Sequence, residues 1–428
     1  MKTVKVAKKK KIEGETSFPG DKSISHRAIM LGSIARGKTR VKGFSNSVDC
    51  RSTLNAFLKL GVEIEEHSEG ELTISGRGLK GLACARETID VGNSGTTMRL
   101  ISGILAGQDF SSTISGDEYL RNRPMRRIIL PLRQMGAKIS SPDDNHPPIT
   151  IEGRKLHSID YHSPIASAQV KSCILLAGLY ASGKTSVTEP SQSRDHTERM
   201  LKYLEASIEI KGRTVSIGGL SELEARAITI PGDISSAAFF MVACLLLKNS
   251  EMSIKGVGIN PTRTGIIDVL KEMGADITIE NVHEVCGEPV ADLNVKSSTL
   301  RATNIGGELI PRVIDEIPVL ALAATQAEGV TEISGAQELR VKESDRIGTV
   351  VSELTKMGAS IEEKEDGMVI SGGKRLVGSS VNSFGDHRMA MALTIAGLIA
   401  DGETTISGVE CIDVSFPHFI DTLNRMVE

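Results

Sequence analysis

Six times along the chain the same arrangement recurs: a polar cap, an apolar helical run, a short turn led by Gly or Asn, and a β-branched strand. The candidate caps are Asp21, Asn93, Ser167, Asp233, Asp315 and Asp386. The turns begin at Gly37, Gly107, Gly183, Asn249, Gly329 and Gly402, so cap and turn are separated by 16, 14, 16, 16, 14 and 16 residues. A register this close across six segments marks an internal repeat. Each turn leads on to a second, amphipathic helix, and five of these close alike, in "LGVEI", "MGAKI", "LEASIEI", "MGADI" and "MGASI". Gly after a last helical turn fits a left-handed C-terminal cap, and a strand pair such as "ELTISG" or "GMVISG" follows. The period is about seventy residues, longer than the roughly 20–50 of a solenoid repeat. The expected fold class is therefore α/β, with a six-fold internal repeat of small modules packed in groups.

Two stretches resemble each other, "FPGDKSIS" at 18–25 and "IPGDISSA" at 230–237, with three modules after each. This predicts an inserted domain, 19–229, and a discontinuous one, 1–18 plus 230–428, with both crossings at the Pro-Gly-Asp turns. At 428 residues, two cores are also the size expectation. Trp is absent and aromatics are scarce, which leaves the cores to aliphatic side chains.

A formal charge of −4 argues against a general nucleic-acid or membrane-surface binder, so an anionic small molecule would need a local basic cluster. Six scattered cysteines without a C-x-x-C pair predict neither a zinc site nor a disulfide framework. They fit a reducing compartment, the cytoplasm. No metal ligand motif such as H-E-x-x-H occurs, no apolar run has membrane-spanning length, and the basic N-terminus "MKTVKVAKKKKIEG" lacks the apolar stretch of a signal peptide. Its lysines read as a solvated edge strand. "GLYASGKT" at 178–185 matches a phosphate loop, but it follows a helical run and precedes a strand, the reverse of the working order. It reads as a helix-to-strand turn, as does "ARGKTRV" at 35–41, and "GRGLKG" at 76–81 reads as a loop.

The chemistry-bearing residues share one phase of the repeat. The first helices open with "GDKSISHR", "GNSGTTMR", "ASAQVK", "IDEIP" and "GDHRMA". Helix N-termini offer free N–H groups and partial positive charge. Six of them converging on one cleft would attract anions without a basic protein overall. Capping alone explains Asp21, Asp233 and Asp386, but not Lys22, Arg27 or Arg388. A cation in a first turn opposes the helix dipole and calls for an anion beside it. "RNRPMRR" at 121–127, "RVKESDR" at 340–346 and "SRDH" at 193–196 add further basic clusters.

Together "GDKSISHR", "GNSGTTMR", "RNRPM", "SAQVKS", "IDEIP", "LRVKESDR" and "DHRMAM" resemble the 5-enolpyruvylshikimate-3-phosphate (EPSP) synthase family, in order and over nearly the whole chain. Several wordings are similar to the second bacterial class. The resemblance implies the enolpyruvyl transferase fold, two domains of three βαβαββ units each, closing on substrates in the interdomain cleft. It also implies a shikimate-pathway activity. The enolpyruvyl group of phosphoenolpyruvate passes to the 5-hydroxyl of shikimate 3-phosphate through a tetrahedral intermediate, and phosphate is released. No metal or organic cofactor is implied, and a monomer is the family default.

By the same resemblance, Lys22, Ser23, Arg27, Ser167, Gln169, Ser193, Arg194, Asp315 and Lys342 meet shikimate 3-phosphate. Lys22, Asn93, Gly95, Arg123, Gln169, Arg346 and Arg388 line the phosphoenolpyruvate side, where glyphosate sensitivity is tuned around Gly95. Asp315 is the implied base for the hydroxyl. Glu343 with Lys22, assisted by His387, would serve the enol carbon. Two departures stand out. Val414 lies where some family members carry a lysine that contacts phosphoenolpyruvate, and Pro131 interrupts a helical pattern, where it would kink the helix or move its start.

Two other readings compete. UDP-N-acetylglucosamine enolpyruvyl transferase shares fold and donor, but that family usually carries a reactive Cys shortly before an Arg-Pro pair. Here "SGDEYLRN" before Arg123-Pro124 has none. A non-catalytic anion-binding scaffold would have no need of Asp315 or Glu343.

Overall fold

The structure, a computed structural model, describes residues 2–220 and 222–428. The repeat is visible in the sheets. In the first module a parallel pair, Ile228–Thr229 beside Arg36–Lys42, is extended by the antiparallel strands Glu71–Arg77 and Glu63–Ser68. The second module repeats this order with Ile89–Asp90, Ser111–Ser115, Ile149–Glu152 and Lys138–Ser140. The third does so with Asp160–His162, Lys184–Thr188, Thr214–Gly218 and Ile208–Lys211. The fourth and fifth follow suit, opening with Glu13–Ser17 beside Glu251–Gly258 and with Asn304–Ile305 beside Val330–Ile333. In the sixth, Ser380–Asn382 pairs parallel with Glu403–Ser407, and Thr3–Ala7 completes the sheet. In modules two, three, five and six the first helix joins the two parallel strands, a βαβ crossover.

The opening strands of modules one and four are exchanged along the chain. Residues 13–17 open module four, and 228–229 open module one. The chain therefore changes unit at both Pro-Gly-Asp turns. One compact unit is Gly20–Ile230 with Glu284–Glu288. The other comprises the residues up to Pro19, Pro231–His283 and Pro289–Glu428. Placing all of 230–428 in the discontinuous domain therefore needs correction at Glu284–Glu288. That segment belongs with the inserted unit, where His196 Nδ1 and Glu288 Oε1 lie 2.7 Å apart, both buried.

The two helix classes differ in what they bury. First helices are buried on nearly all faces; every residue from Ile234 to Leu245 is buried in "ISSAAFFMVACLL". Second helices show one face, as in Val48–Lys59, where Cys50, Thr53, Leu54 and Phe57 are buried at helical spacing. Five of them end on a left-handed residue: Gly61, Gly136, Gly274 and Gly358 have φ of +81°, +95°, +91° and +94°, and Glu205 takes that position at +64° in "LEASIEI". Each unit has its own apolar core. The expectation of purely aliphatic cores fails in the discontinuous unit, where Phe18, Phe239, Phe240, Phe416 and Phe419 form one ring cluster with centroids 4.6–6.1 Å apart.

"GLYASGKT" spans a helix end at Gly178 and the strand Lys184–Thr188, and "GRGLKG" runs from the end of the strand Glu71–Arg77 into a turn. Pro131 lies inside the helix Arg126–Gln134, so the helix does not begin there. Among the described residues, no helix is long and apolar enough to cross a membrane.

Candidate functional site

In the inserted unit three first helices begin at Lys22, Gly95 and Ala168. Asp21 caps the first, accepting from Ile24 N at 2.9 Å, and Ser167 caps the third, accepting from Val170 N at 3.4 Å. The second is capped by Ser94, not Asn93: Ser94 Oγ accepts from Thr97 N at 3.2 Å. The carbonyl of Asn93 accepts instead from Gly95 N at 2.9 Å and from Arg123 Nη1 at 3.5 Å.

Lys22 Nζ is held 3.0 Å from Asp49 Oδ2, at the start of the amphipathic helix Val48–Lys59. Arg27 is buried, and three of its N–H groups stay within the unit. Nε donates to Thr197 Oγ1 at 2.6 Å, Nη1 to Ser23 O at 2.8 Å and Nη2 to Ser172 Oγ at 2.9 Å. Loss of hydration lowers its pKa to about 10, opposed by Glu198 and Asp21 and helped by Arg194, and it stays charged at neutral pH. Its neighbour His26 is held neutral, its pKa well below the usual value through burial and then through Lys22 and Arg27. His26 Nδ1 lies 2.6 Å from Thr53 Oγ1, Thr53 2.6 Å from Thr97 Oγ1, and Thr97 2.7 Å from Ser94 Oγ. This buried hydroxyl chain ties the Lys22 helix to the cap of the Gly95 helix.

Arg99 Nη1 donates to Gln169 Oε1 at 2.7 Å, and Gln169 Nε2 donates to Thr96 Oγ1 at 3.0 Å, so the Gln169 amide is fixed from both ends. A methyl group built on Gly95 would lie 2.8 Å from Arg99 Nη1 and 3.2 Å from Arg123 Cζ. Glycine thus leaves room for two guanidinium groups over a helix N-terminus. Below Ser167, Lys171 Nζ sits 2.8 Å from Glu189 Oε2 and 2.7 Å from Glu198 Oε1, all three buried. Glu189 Oε1 also accepts from Ser193 Oγ at 2.6 Å and from Ser167 N at 3.1 Å.

The discontinuous unit holds the other expected residues: Asp315, Lys342, Glu343, Arg346, His387 and Arg388. Asp315 does not cap its helix. The helix Ile317–Gln326 follows Glu316 and has no side-chain cap bond. Asp315 instead lies 3.3 Å from Arg346 Nη1 and 3.4 Å from Arg388 Nη2. Arg346 is fully buried; Nη2 donates to Glu343 Oε2 at 2.6 Å and Nε to Asp386 Oδ2 at 2.7 Å. Burial pulls its pKa down, but Asp386, Glu343 and Asp315 outweigh that and raise it. Lys342 is pushed below its usual pKa by burial and by Arg346, against Asp315 and Glu343. Asp386 caps the helix His387–Ile399 by accepting from Arg388 N at 2.9 Å, and His387 is buried beside it. Arg388 Nη1 is 3.7 Å from Glu316 Oε1, which also accepts from Ser235 Oγ; Ser235 Oγ accepts from Arg263 Nη2 at 2.7 Å.

The structure therefore gathers the expected residues into two clusters, one per unit. Sequence reasoning missed their anchors: Asp49, Glu189, Glu316 and Arg263, and the second duty of Asp386. One signal was legible, since Lys171 stands in the otherwise apolar helix "AQVKSCILLAG" and a buried lysine requires an acid. Chemically, the clusters offer fixed cations and helix N-termini for anions, plus carboxylates able to exchange protons. Among the described residues no group of three or more His, Cys, Asp or Glu side chains could hold a metal ion.

The family model for EPSP synthase (3-phosphoshikimate 1-carboxyvinyltransferase) matches residues 6–423. The chain is 53% identical over 418 residues to the 3-phosphoshikimate 1-carboxyvinyltransferase of Bacillus cereus (strain G9842), and 52% identical to that of Bacillus thuringiensis (strain Al Hakam). Each match covers 97% of both chains. The solved EPSP synthase from Acinetobacter baumannii superposes with a TM-score of 0.89 at 46% identity, over 99% of this chain and 98% of that one. The enolpyruvyl transferase NikO from Streptomyces tendae gives 0.80 at 17% identity, over 99% and 97%, a likeness of fold alone.

Proposed function

We propose, from the premise that this chain belongs to the EPSP synthase (3-phosphoshikimate 1-carboxyvinyltransferase) family, that its two clusters act together on one pair of substrates. The reaction transfers the enolpyruvyl group of phosphoenolpyruvate to the 5-hydroxyl of shikimate 3-phosphate and releases phosphate. Two phosphates, each about −1.5 to −2 at neutral pH, and two carboxylates give the substrates a combined charge of roughly −5 to −6. Lys22, Arg27, Arg99, Arg123, Arg194, Lys342, Arg346 and Arg388 are the cations available to meet it.

Shikimate 3-phosphate is assigned to Lys22, Ser23, Arg27, Ser167, Gln169, Ser193, Arg194, Asp315 and Lys342. Phosphoenolpyruvate is assigned to Lys22, Asn93, Gly95, Arg123, Gln169, Arg346 and Arg388. Asp315 takes the proton of the 5-hydroxyl as its oxygen bonds to the enol carbon. Glu343 and Lys22, with His387 assisting, deliver a proton to the methylene carbon and recover one as the tetrahedral intermediate expels phosphate. The observation that carries this reading is Asp315 itself, a carboxylate held between two guanidinium groups suited to an incoming anion. Once phosphoenolpyruvate engages Arg346 and Arg388, Asp315 loses its cation partners and becomes a stronger base.

The test is phosphate release with each acceptor. Release with shikimate 3-phosphate and none with UDP-N-acetylglucosamine is expected; the reverse would overturn the reading. Gly95→Ala gives a second check. Its methyl group must displace Arg99 or Arg123 by a few tenths of an ångström. Weakening one charged hydrogen bond costs about 1.5 kcal/mol or less, so the KM for phosphoenolpyruvate should rise by up to about tenfold. The KM for shikimate 3-phosphate should stay near its original value in the same steady-state assay. We also assign the chain to the cytoplasm as a monomer. Six free thiols support a reducing compartment, and sedimentation equilibrium tests the monomer.

A further inference from the structure

We propose that Glu189 is a positioning residue for shikimate 3-phosphate, an inference that rests on the assignment of Ser167 and Ser193 to that substrate. Glu189 is buried and gathers four donors from two separate segments. Oε1 accepts from the backbone N–H of Ser167 at 3.1 Å and from Ser193 Oγ at 2.6 Å. Oε2 accepts from Ser193 N at 3.4 Å and pairs with Lys171 Nζ at 2.8 Å. One carboxylate thus fixes the cap of the helix Ala168–Gly178 to the loop between the strand Lys184–Thr188 and the helix His196–Tyr203. Lys171 reinforces the same link by donating to Ser193 O at 3.5 Å.

The arrangement is built for position more than for charge. Lys171 neutralises Glu189, and Glu198 shares the same ammonium, its own pKa raised by burial against the pull of Lys171. What Glu189 supplies beyond charge is a pair of acceptor oxygens at fixed spacing. A ligand that touches Ser167 and Ser193 together therefore meets a preset distance, and ordering costs at binding are reduced.

Glu189→Gln keeps the shape and replaces one acceptor oxygen by an NH₂ group that faces other donors. We expect the Kd for shikimate 3-phosphate, read by titration calorimetry, and its KM to rise about tenfold, the loss of roughly one charged hydrogen bond. The KM for phosphoenolpyruvate and kcat should stay within about twofold, since no reacting group is touched. A merely structural defect would lower kcat and weaken both substrates together, and that result would overturn the proposal. Ser193→Ala separates the two layers of inference. If Ser193→Ala weakens shikimate 3-phosphate and Glu189→Gln does not, positioning by Glu189 is refuted while the substrate assignment stands. If Ser193→Ala and Ser167→Ala both leave its Kd unchanged, the assignment fails and the proposal with it. Glu189→Asp keeps the charge balance with Lys171 but withdraws the carboxylate by one methylene. Should Glu189→Gln not fold, Glu189→Asp is expected to show the same selective loss, and an unchanged Kd there would refute positioning.

Discussion

Replacing Asp315 by Asn is expected to slow turnover by about 10²–10⁴, the usual contribution of one positioned acid or base. Shikimate 3-phosphate binding should remain measurable by calorimetry. The surroundings make the experiment clean. Arg346 keeps Asp386 and Glu343 after the change, and Arg388 keeps Glu316, so neither guanidinium group is left buried without an anion. Asn also preserves the side-chain volume. The KM for phosphoenolpyruvate carries a signature of its own. Removing a carboxylate that sits 3.3 Å and 3.4 Å from two cations frees them for the substrate, so that KM should stay level or fall. A collapsed site would raise it. A kcat within about threefold of the original enzyme would remove Asp315 from the base role, since proton transfer by a positioned group is worth far more.

Why the fold class was legible lies in how local its signals are. Caps such as Asp21 and Asp386, left-handed closures such as Gly61 and Gly358, and the long apolar runs of the first helices are written within a few residues of where they act. The strand exchange was not. Residues 13–17, "EGETS", are polar throughout, and 228–229 make a two-residue strand, so neither shows alternation. Their partners, 251–258 and 36–42, are more than 180 residues away along the chain.

The site divided in the same way. Helix N-termini carrying Lys22, Gly95, Ser167 and Arg388 could be read from the phase of the repeat, because phase fixes position within a module. The anchors could not, because they are tertiary. Asp49 reaches Lys22 from the next helix, and Glu189 meets Ser167 and Lys171 from beyond a strand. Two caps were misjudged for different reasons. Ser94 and Asn93 are both good capping residues, and only the backbone path decides between them. Asp315 stands one residue before the N-cap, Glu316, and its carboxylate pairs with two arginines instead.

Lys171→Met should cost about 3–5 kcal/mol of stability at neutral pH, the range for breaking a buried ion pair from one side. The lysine lies between Glu189 and Glu198 with almost no solvent exposure on any of the three side chains. Methionine fills the space but leaves two carboxylates facing each other without the ammonium that lay between them. The sign of the pH dependence follows. Burial already raises Glu198, and Lys171 is what opposes the rise. Without it, burial holds the Glu198 proton to higher pH than in the unfolded chain. The folded variant then binds more protons than its unfolded chain, so its stability increases as pH falls. Relative to the original protein, the deficit should be full above the raised Glu198 pKa. It should shrink as pH drops, by up to about 1.4 kcal/mol per pH unit while Glu198 takes up its proton. Urea denaturation of both proteins at pH 7.5 and 5.5 reads this difference directly. A deficit equal at both pH values would assign the loss to packing instead of uncompensated charge. The double variant with Glu198→Gln supplies the matching control. It removes one of the two stranded charges, so it should recover part of the loss at pH 7.5 and less at 5.5, where Glu198 carries more of its proton.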